Sequence, residues 1–408
     1  MATRSHLRSS VGRPPTLRSR RQDLGLRPWG LARAVPAALR VFTLQDAILA
    51  LYLCAALVIL LATSSEHGLE AAACARRLLV GLAVTSTGAY VARAGFGGPT
   101  WIRAGVYRLC LVGVLVDTYL MLRDLLPLVR TDTVDATLHQ LDLRLFGVEP
   151  ALWLERFNRP AIVEWFSFFY FSYFWIGIAY MIAVIWLQRS GRATTELSIG
   201  VLLVFCIGQL GYMAVPGFGP VQHLAAEFQR PIDGGFFWSC VTHAVAAGGA
   251  NKDVFPSLHT AAPTFFTLYA WRRATRDRRW RLPAIATGFF AANIIVSTML
   301  LRWHFAVDVV AGLVLGISAA LAAPRLALAE ERVRQRFGVA PPWDFGWVRD
   351  CAEGEVEGQA EAQAAARAEA QASTSGSRST SEINTSSPET APASLAPSRV
   401  RYPRSVGV

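Results

Sequence analysis

Asn251-Lys252-Asp253-Val254-Phe255-Pro256-Ser257-Leu258-His259 opens a hydrophobic segment, and Arg302-Trp303-His304-Phe305-Ala306-Val307-Asp308 opens another. Alone, Pro followed by small polar residues is an ordinary way to begin a helix. Read together, the two stretches say more. The chain between them is long and apolar enough to cross a membrane twice, which returns both histidines to one face.

The composition around them supports that reading. Of 408 residues 53% are hydrophobic, the mean hydropathy is +0.33, and the apolar residues come in long runs rather than at amphipathic spacing. A membrane span needs about 20 mainly apolar residues. Eight segments are candidates: 43–63, 78–95, 105–129, 162–187, 196–215, 258–271, 282–300 and 305–324. The expected fold class is all-α, a polytopic transmembrane helix bundle. Its expected organisation is a basic cytoplasmic arm (1–40), N-terminal transmembrane helices (41–130), a catalytic membrane domain (131–325) and a largely disordered cytoplasmic tail (326–408). No cleavable signal pattern precedes the first span, so that span itself serves as insertion signal.

The net charge of +11 raises the question of a nucleic-acid partner, but the arginines concentrate in the first forty residues and between spans. Orientation accounts for them. Arg4 through Arg40, Arg93 and Arg103, Arg189 and Arg192, and the cluster Arg272 to Arg281 all fall on one side of an eight-span thread. By the positive-inside rule that side is cytoplasmic. Arg76 and Arg77 are the exception. The two histidine stretches then face a non-cytoplasmic compartment, as in the inner or plasma membrane of a bacterium, with both termini inside.

The six cysteines form no Cys-x-x-Cys pair, and Cys54, Cys110 and Cys206 fall within predicted spans, where they read as small packing residues. Cys74 and Cys240 fall in outer segments, which leaves a disulfide open.

Between the third and fourth spans, Val134, Leu138, Leu141 and Leu145 recur at helical spacing, with Gly147 as a stop. This predicts a surface amphipathic helix, with Asp132, Asp135 and Asp142 on a solvated face. Pro150, Trp153 and Leu154 begin a second, short one. The fourth span starts with an aromatic run from Trp165 to Trp175, read as interface anchors that also leave room for a groove for acyl or prenyl chains. After the fifth span, Pro216-Gly217-Phe218-Gly219-Pro220 leads into a long outer loop, which favours a lid or binding role.

The residues around the two histidines supply the parts of phosphoryl transfer. On a helix His304 and Asp308 lie one turn apart, so the carboxylate can orient the imidazole and leave its other nitrogen as nucleophile. Ser257 offers a hydroxyl, and Leu258 stands at a helix N-terminus, where backbone N–H groups bind phosphate. His259 offers a proton. Arg302 brings a fork suited to phosphate oxygens. No set of Asp and His with metal spacing stands near, so the expected chemistry is metal-independent and needs no cofactor.

Phe255-Pro256-Ser257-Leu258-His259-Thr260-Ala261 and Arg302-Trp303-His304-Phe305-Ala306-Val307-Asp308 resemble the second and third motifs of the type 2 phosphatidic acid phosphatase (PAP2) superfamily, over roughly residues 130–325. The nearer likeness is to its inositolphosphotransferase branch, which includes inositol phosphorylceramide synthase. The resemblance implies that His304 attacks phosphorus, Asp308 supports it and His259 protonates the leaving group. It is incomplete. Leu258 stands where the phosphatases have Gly, and Thr298 where they have Arg. The first motif is replaced by His223 with Arg230-Pro231, or by Lys252, the only lysine in the chain. Arg230, Lys252, Arg302, Ser257 and Leu258 are thus the expected phosphate contacts.

The expected function is a membrane phosphatase or phospho-headgroup transferase acting on a lipid phosphate or phospholipid, with water or an alcohol as acceptor and no nucleic-acid partner. Leu258 leans toward the transferase branch. A non-enzymatic lipid transporter or lipid-binding protein is the rival, but the chain shows no internal repeat, and its polar residues cluster at span ends.

Overall fold

Runs of Leu, Val, Ile, Ala and Phe with few charges have one stable form in hydrocarbon, because a helix satisfies its own backbone polar groups. In the computed structural model every regular element among the described residues is helical. The structure describes residues 37–63, 68–94, 99–182, 191–248 and 252–343. Most of the basic arm expected at 1–40 and most of the tail expected at 326–408 lie outside the described residues.

In chain order the helices of twelve residues or more are α1 (Leu44–Thr63), α2 (Gly68–Arg93), α3 (Thr100–Val129), α4 (Asp135–Phe146), α5 (Pro160–Ile182), α6 (Gly191–Ala214), α7 (Phe236–Gly248), α8 (Leu258–Ala274), α9 (Arg281–Leu300) and α10 (Ala306–Arg336), and the short helix expected at Pro150 is Pro150–Leu154. Five are long and apolar enough to cross a membrane: α1, α5, α6, α9 with its preceding turn, and α10. Large apolar residues such as Leu51, Leu61, Leu282 and Val314 remain exposed on them, as lipid-facing positions do. The chain is an integral membrane protein on this composition. The expected count was eight. The other three segments are also helical, but α8 has 17 residues, and α2 and α3 carry charges that lower their hydropathy.

Three of those charges meet one another. Arg77, the exception to the arginine pattern, donates to Asp117 at 2.7 Å and stands 3.6 Å from Asp124, so the charge on α2 meets two on α3. At the end of the bundle away from the histidines, buried Asp46 accepts hydrogen bonds from Thr43, Tyr107 and Arg93. Nearby, Glu330 pairs with Arg334 at 3.1 Å. Helix α10 thus runs through the boundary expected at 325. Cys74 and Cys240 are both free thiols.

α8 and α10 pack backbone to backbone. A Cβ built on Gly312 would come within 2.4 Å of the Ser257 carbonyl oxygen, and one on Gly316 equally near the Ala261 oxygen, the small-residue contact by which membrane helices approach. This holds the two histidine stretches side by side.

α4 ends at Gly147 in the left-handed conformation, φ 73°, as its sequence predicts. Its polar face differs from the expectation. Asp135 and Asp142 are 2% and 0% exposed, because each serves as a remote cap. Asp142 accepts from the Ala306 and Val307 N–H groups, which open α10, at 2.6 and 2.8 Å. Asp135 accepts from Phe218 and Gly219 N–H at 3.0 and 2.8 Å. Two first-turn amides and a glycine turn are satisfied in this way.

Candidate active site

α9 reaches the site through a tight reversal. The Thr298 carbonyl accepts the N–H groups of both Trp303 and His304, at 2.9 and 3.1 Å, and Arg302 takes the left-handed conformation, φ 67°, which is uncommon for a non-glycine residue. The reversal sets His304 inside the bundle, 4% exposed. Its Nδ1 lies 2.9 Å from the Val254 carbonyl oxygen. A carbonyl can only accept, so Nδ1 carries the proton and Nε2 is the basic nitrogen.

This modifies the role expected of Asp308. Its Oδ2 stands 3.7 Å from Nδ1, beyond hydrogen-bond range, and accepts the Phe305 N–H at 2.9 Å. The carboxylate caps α10 beside the ring, while the backbone of the other histidine stretch holds the tautomer. Oδ1 is buried without a hydrogen-bond partner among the described residues.

His259, on the first turn of α8, packs against two aromatic rings of α5. Tyr170 stacks on it at 4.3 Å and 16°, and Tyr173 lies against it at 4.3 Å and 39°. The His259 and His304 ring centres are 6.1 Å apart. His259 Nε2 is buried with no hydrogen-bond partner among the described residues. The aromatic run on α5, read as interface anchors, thus also walls the site.

Both histidines line a cavity of about 820 Å³, together with Asp253, Tyr119, Tyr212 and Trp303. Asp253, unassigned from sequence although it lies in the quoted stretch, accepts from the Tyr119 hydroxyl at 3.1 Å. Burial pushes its carboxyl up to about 6, against the pull of Tyr119 and His304. Burial likewise pushes the His304 imidazole down to about 4, against the pull of Asp253 and the Val254 carbonyl. His304 is therefore neutral near pH 7, the state a nucleophile needs.

The expected phosphate contacts are distributed differently. Leu258 lines the cavity, its side chain fitting because Gly208 lies opposite, where a Cβ would stand 2.5 Å from a Leu258 methyl. Ser257 is fully buried under α10 and its hydroxyl accepts from Thr260. Arg302 donates to Glu155 at 3.2 Å and to the Arg230 carbonyl at 2.9 Å, with its guanidinium over Phe228. Lys252 donates to the Arg130 and Thr131 carbonyls. Arg230 is exposed, and its N–H donates to Glu155. None of Ser257, Arg302, Lys252 or Arg230 lines the cavity. Sequence proximity to the motifs suggested a cradle, whereas carboxylate and carbonyl partners from distant segments hold the Arg302 and Lys252 cations.

A bundle of apolar helices with a buried and a half-buried histidine facing each other in a cavity defines a membrane protein with a compact polar site. Residues 136–322, from α4 into α10, match the model of the PAP2 superfamily. Comparison with curated proteins and with solved structures finds no match.

Proposed function

We propose that the protein is a lipid phosphatase or phospho-headgroup transferase of the inositolphosphotransferase type, working without a metal through a phosphohistidine on His304. The observation that carries this reading is the pairing of a neutral His304, its Nδ1–H engaged by Val254, with His259 across the mouth of an apolar cavity.

In the first half-reaction His259 takes up a proton as the anionic phosphate enters beside it, Nε2 of His304 attacks phosphorus, the bond to the leaving oxygen breaks, and His259 gives that oxygen its proton. In the second, water or an alcohol loses its proton to His259 and attacks phosphorus, releasing His304. Asp308, beside the ring and capping α10, stabilises the positive charge that develops on the imidazole. The arginine pattern supports a site on the non-cytoplasmic face.

A panel of phosphatidate, prenyl pyrophosphates, and ceramide with phosphatidylinositol, assayed for free phosphate and for a new lipid, separates hydrolysis from transfer. Activity on at least one of them that His304→Ala abolishes is the expected result. No activity on any, with protein-dependent lipid movement between vesicles, would point to a transporter.

A further inference from the structure

The cavity that takes in the two histidines extends well beyond the space a phosphate group needs. Its walls run from Tyr119 back to Arg108 on α3 and from Tyr212 back to Thr194 on α6. These stretches measure roughly 17 and 27 Å at ~1.5 Å of rise per residue. One leaflet, half of a ~30 Å hydrocarbon core, is about 15 Å deep. The cavity is thus at least as deep as a leaflet. Between its ends it is lined by Phe174, Ile178, Met181, Val201, Leu202 and Phe205, side chains that offer a ligand dispersion and burial but no hydrogen bonds.

The far end is closed by a segment that the membrane pattern does not account for. After α10 ends at Arg336, the chain returns to place Trp343 between the starts of α3 and α6. Its ring is 5.6 Å from that of Tyr107, the Arg108 guanidinium lies 5.4 Å from the ring centre, and its Cβ would be 3.9 Å from a Cβ on Gly191. Two buried arginines fasten this segment. Arg334 donates to the Ala340 carbonyl at 2.8 Å and Arg93 to the Pro342 carbonyl at 3.2 Å, and each arginine is itself paired, with Glu330 and Asp46. Trp343 is therefore a fixed wall.

We infer that the cavity holds one hydrocarbon chain of the substrate while the phosphorus lies between His259 and His304, and that Trp343 with Arg108 forms a floor that sets the longest chain accepted. This rests on the lipid-phosphate reading above and adds to it a substrate class, a phosphate ester with a chain about as long as a leaflet is deep. The continuity of cavity and histidines argues for a chain covalently attached to the phosphate, since one molecule then occupies both the polar and the apolar part.

The test uses the full-length protein in detergent with two probes. The first is a straight-chain alkyl phosphate carrying a diazirine at the far end of its chain. On irradiation it should label the peptide bearing Trp343 or those bearing Arg108 and Thr194, and unlabelled alkyl phosphate should compete. This readout needs no turnover. The second is a homologous series of alkyl phosphates, from shorter to longer than the cavity, assayed for phosphate release. Trp343→Ala should raise the long-to-short ratio of kcat/KM by roughly tenfold or more, the scale of discrimination a hydrophobic pocket supplies, and Trp343→Phe should raise it less. Floor labelling without turnover of any probe would sustain the chain site and count against the enzymatic reading. Turnover with label only on outward faces such as Leu51 or Leu282, or with a ratio that Trp343→Ala leaves unchanged, would overturn the floor and leave the enzymatic reading intact. Should Trp343→Ala fail to fold, the labelling of the wild type decides.

Discussion

His304 and Val254 are joined by a hydrogen bond of 2.9 Å from the ring Nδ1–H to the backbone carbonyl, and this bond ties the two histidine stretches into one site. It fixes the tautomer from a position that substitution of a side chain cannot remove. Asp308, at 3.7 Å, acts on the ring by charge and by capping α10. Asp308→Asn keeps the shape and loses the charge. It should lower kcat by about 10²–10⁴-fold, the range of a positioned acid or base, with KM and thermal stability changing little. A loss of kcat in Asp308→Asn that is matched by a large fall in thermal stability would show that Asp308 is structural only.

The pH dependence follows from burial. His304 is held at about 4 in the fold, against ~6.5 for a free side chain. Its neutral form therefore persists in the native state at pH values where a free imidazole is charged, and the acid limb of kcat/KM should lie below 6.5. Between those values the unfolded chain binds more protons at His304 than the native state, so stability from this group falls as pH drops through the window. The Asp253 carboxylate favours the imidazolium, so Asp253→Asn should move the acid limb lower still. A limb that stays at 6.5, or rises in Asp253→Asn, contradicts the assignment.

Arg302 was expected at the phosphate and is instead paired with Glu155, with side-chain exposures of 8% and 10%. Removing one member of a buried pair leaves the other charge uncompensated, at about 3–5 kcal/mol. Glu155→Ala should therefore lower the melting temperature markedly even though Glu155 is remote in sequence from both motifs. If Glu155→Ala is as stable as wild type while Arg302→Ala raises KM alone, Arg302 binds substrate after all.

Gly312 tests the α8–α10 contact. Its missing Cβ would meet the Ser257 carbonyl at 2.4 Å, a backbone atom that cannot swing aside. Gly312→Val should cost about 1–3 kcal/mol or more by overpacking and displace Ser257 and His259 together, so activity and thermal stability fall in parallel. Full stability in this variant would show that the helices sit farther apart.

Patterns confined to a short stretch were legible from the sequence. The first span was expected at 43–63 and α1 is Leu44–Thr63. The last was expected to start at 305 and α10 starts at Ala306, while Gly147 ends α4 as anticipated. The polar partners were not legible, because they join distant segments. Asp142 caps a helix 164 residues away, and Arg302 meets a glutamate 147 residues before it. No local periodicity carries such pairs, so Asp135 and Asp142 read as solvated, and Arg302 and Lys252 as phosphate ligands. Asp253 had a usable signal, since a carboxylate directly before Val254 must follow that residue into the site.

The most direct test of the account is to mix purified protein with a lipid substrate labelled at phosphorus, quench in base within one turnover, and map the labelled peptide. A base-stable, acid-labile phosphate on His304, absent in His304→Ala and accumulating in His259→Ala when the leaving group needs no proton, is the predicted result. Full turnover by His304→Ala, or label on another residue, would contradict it.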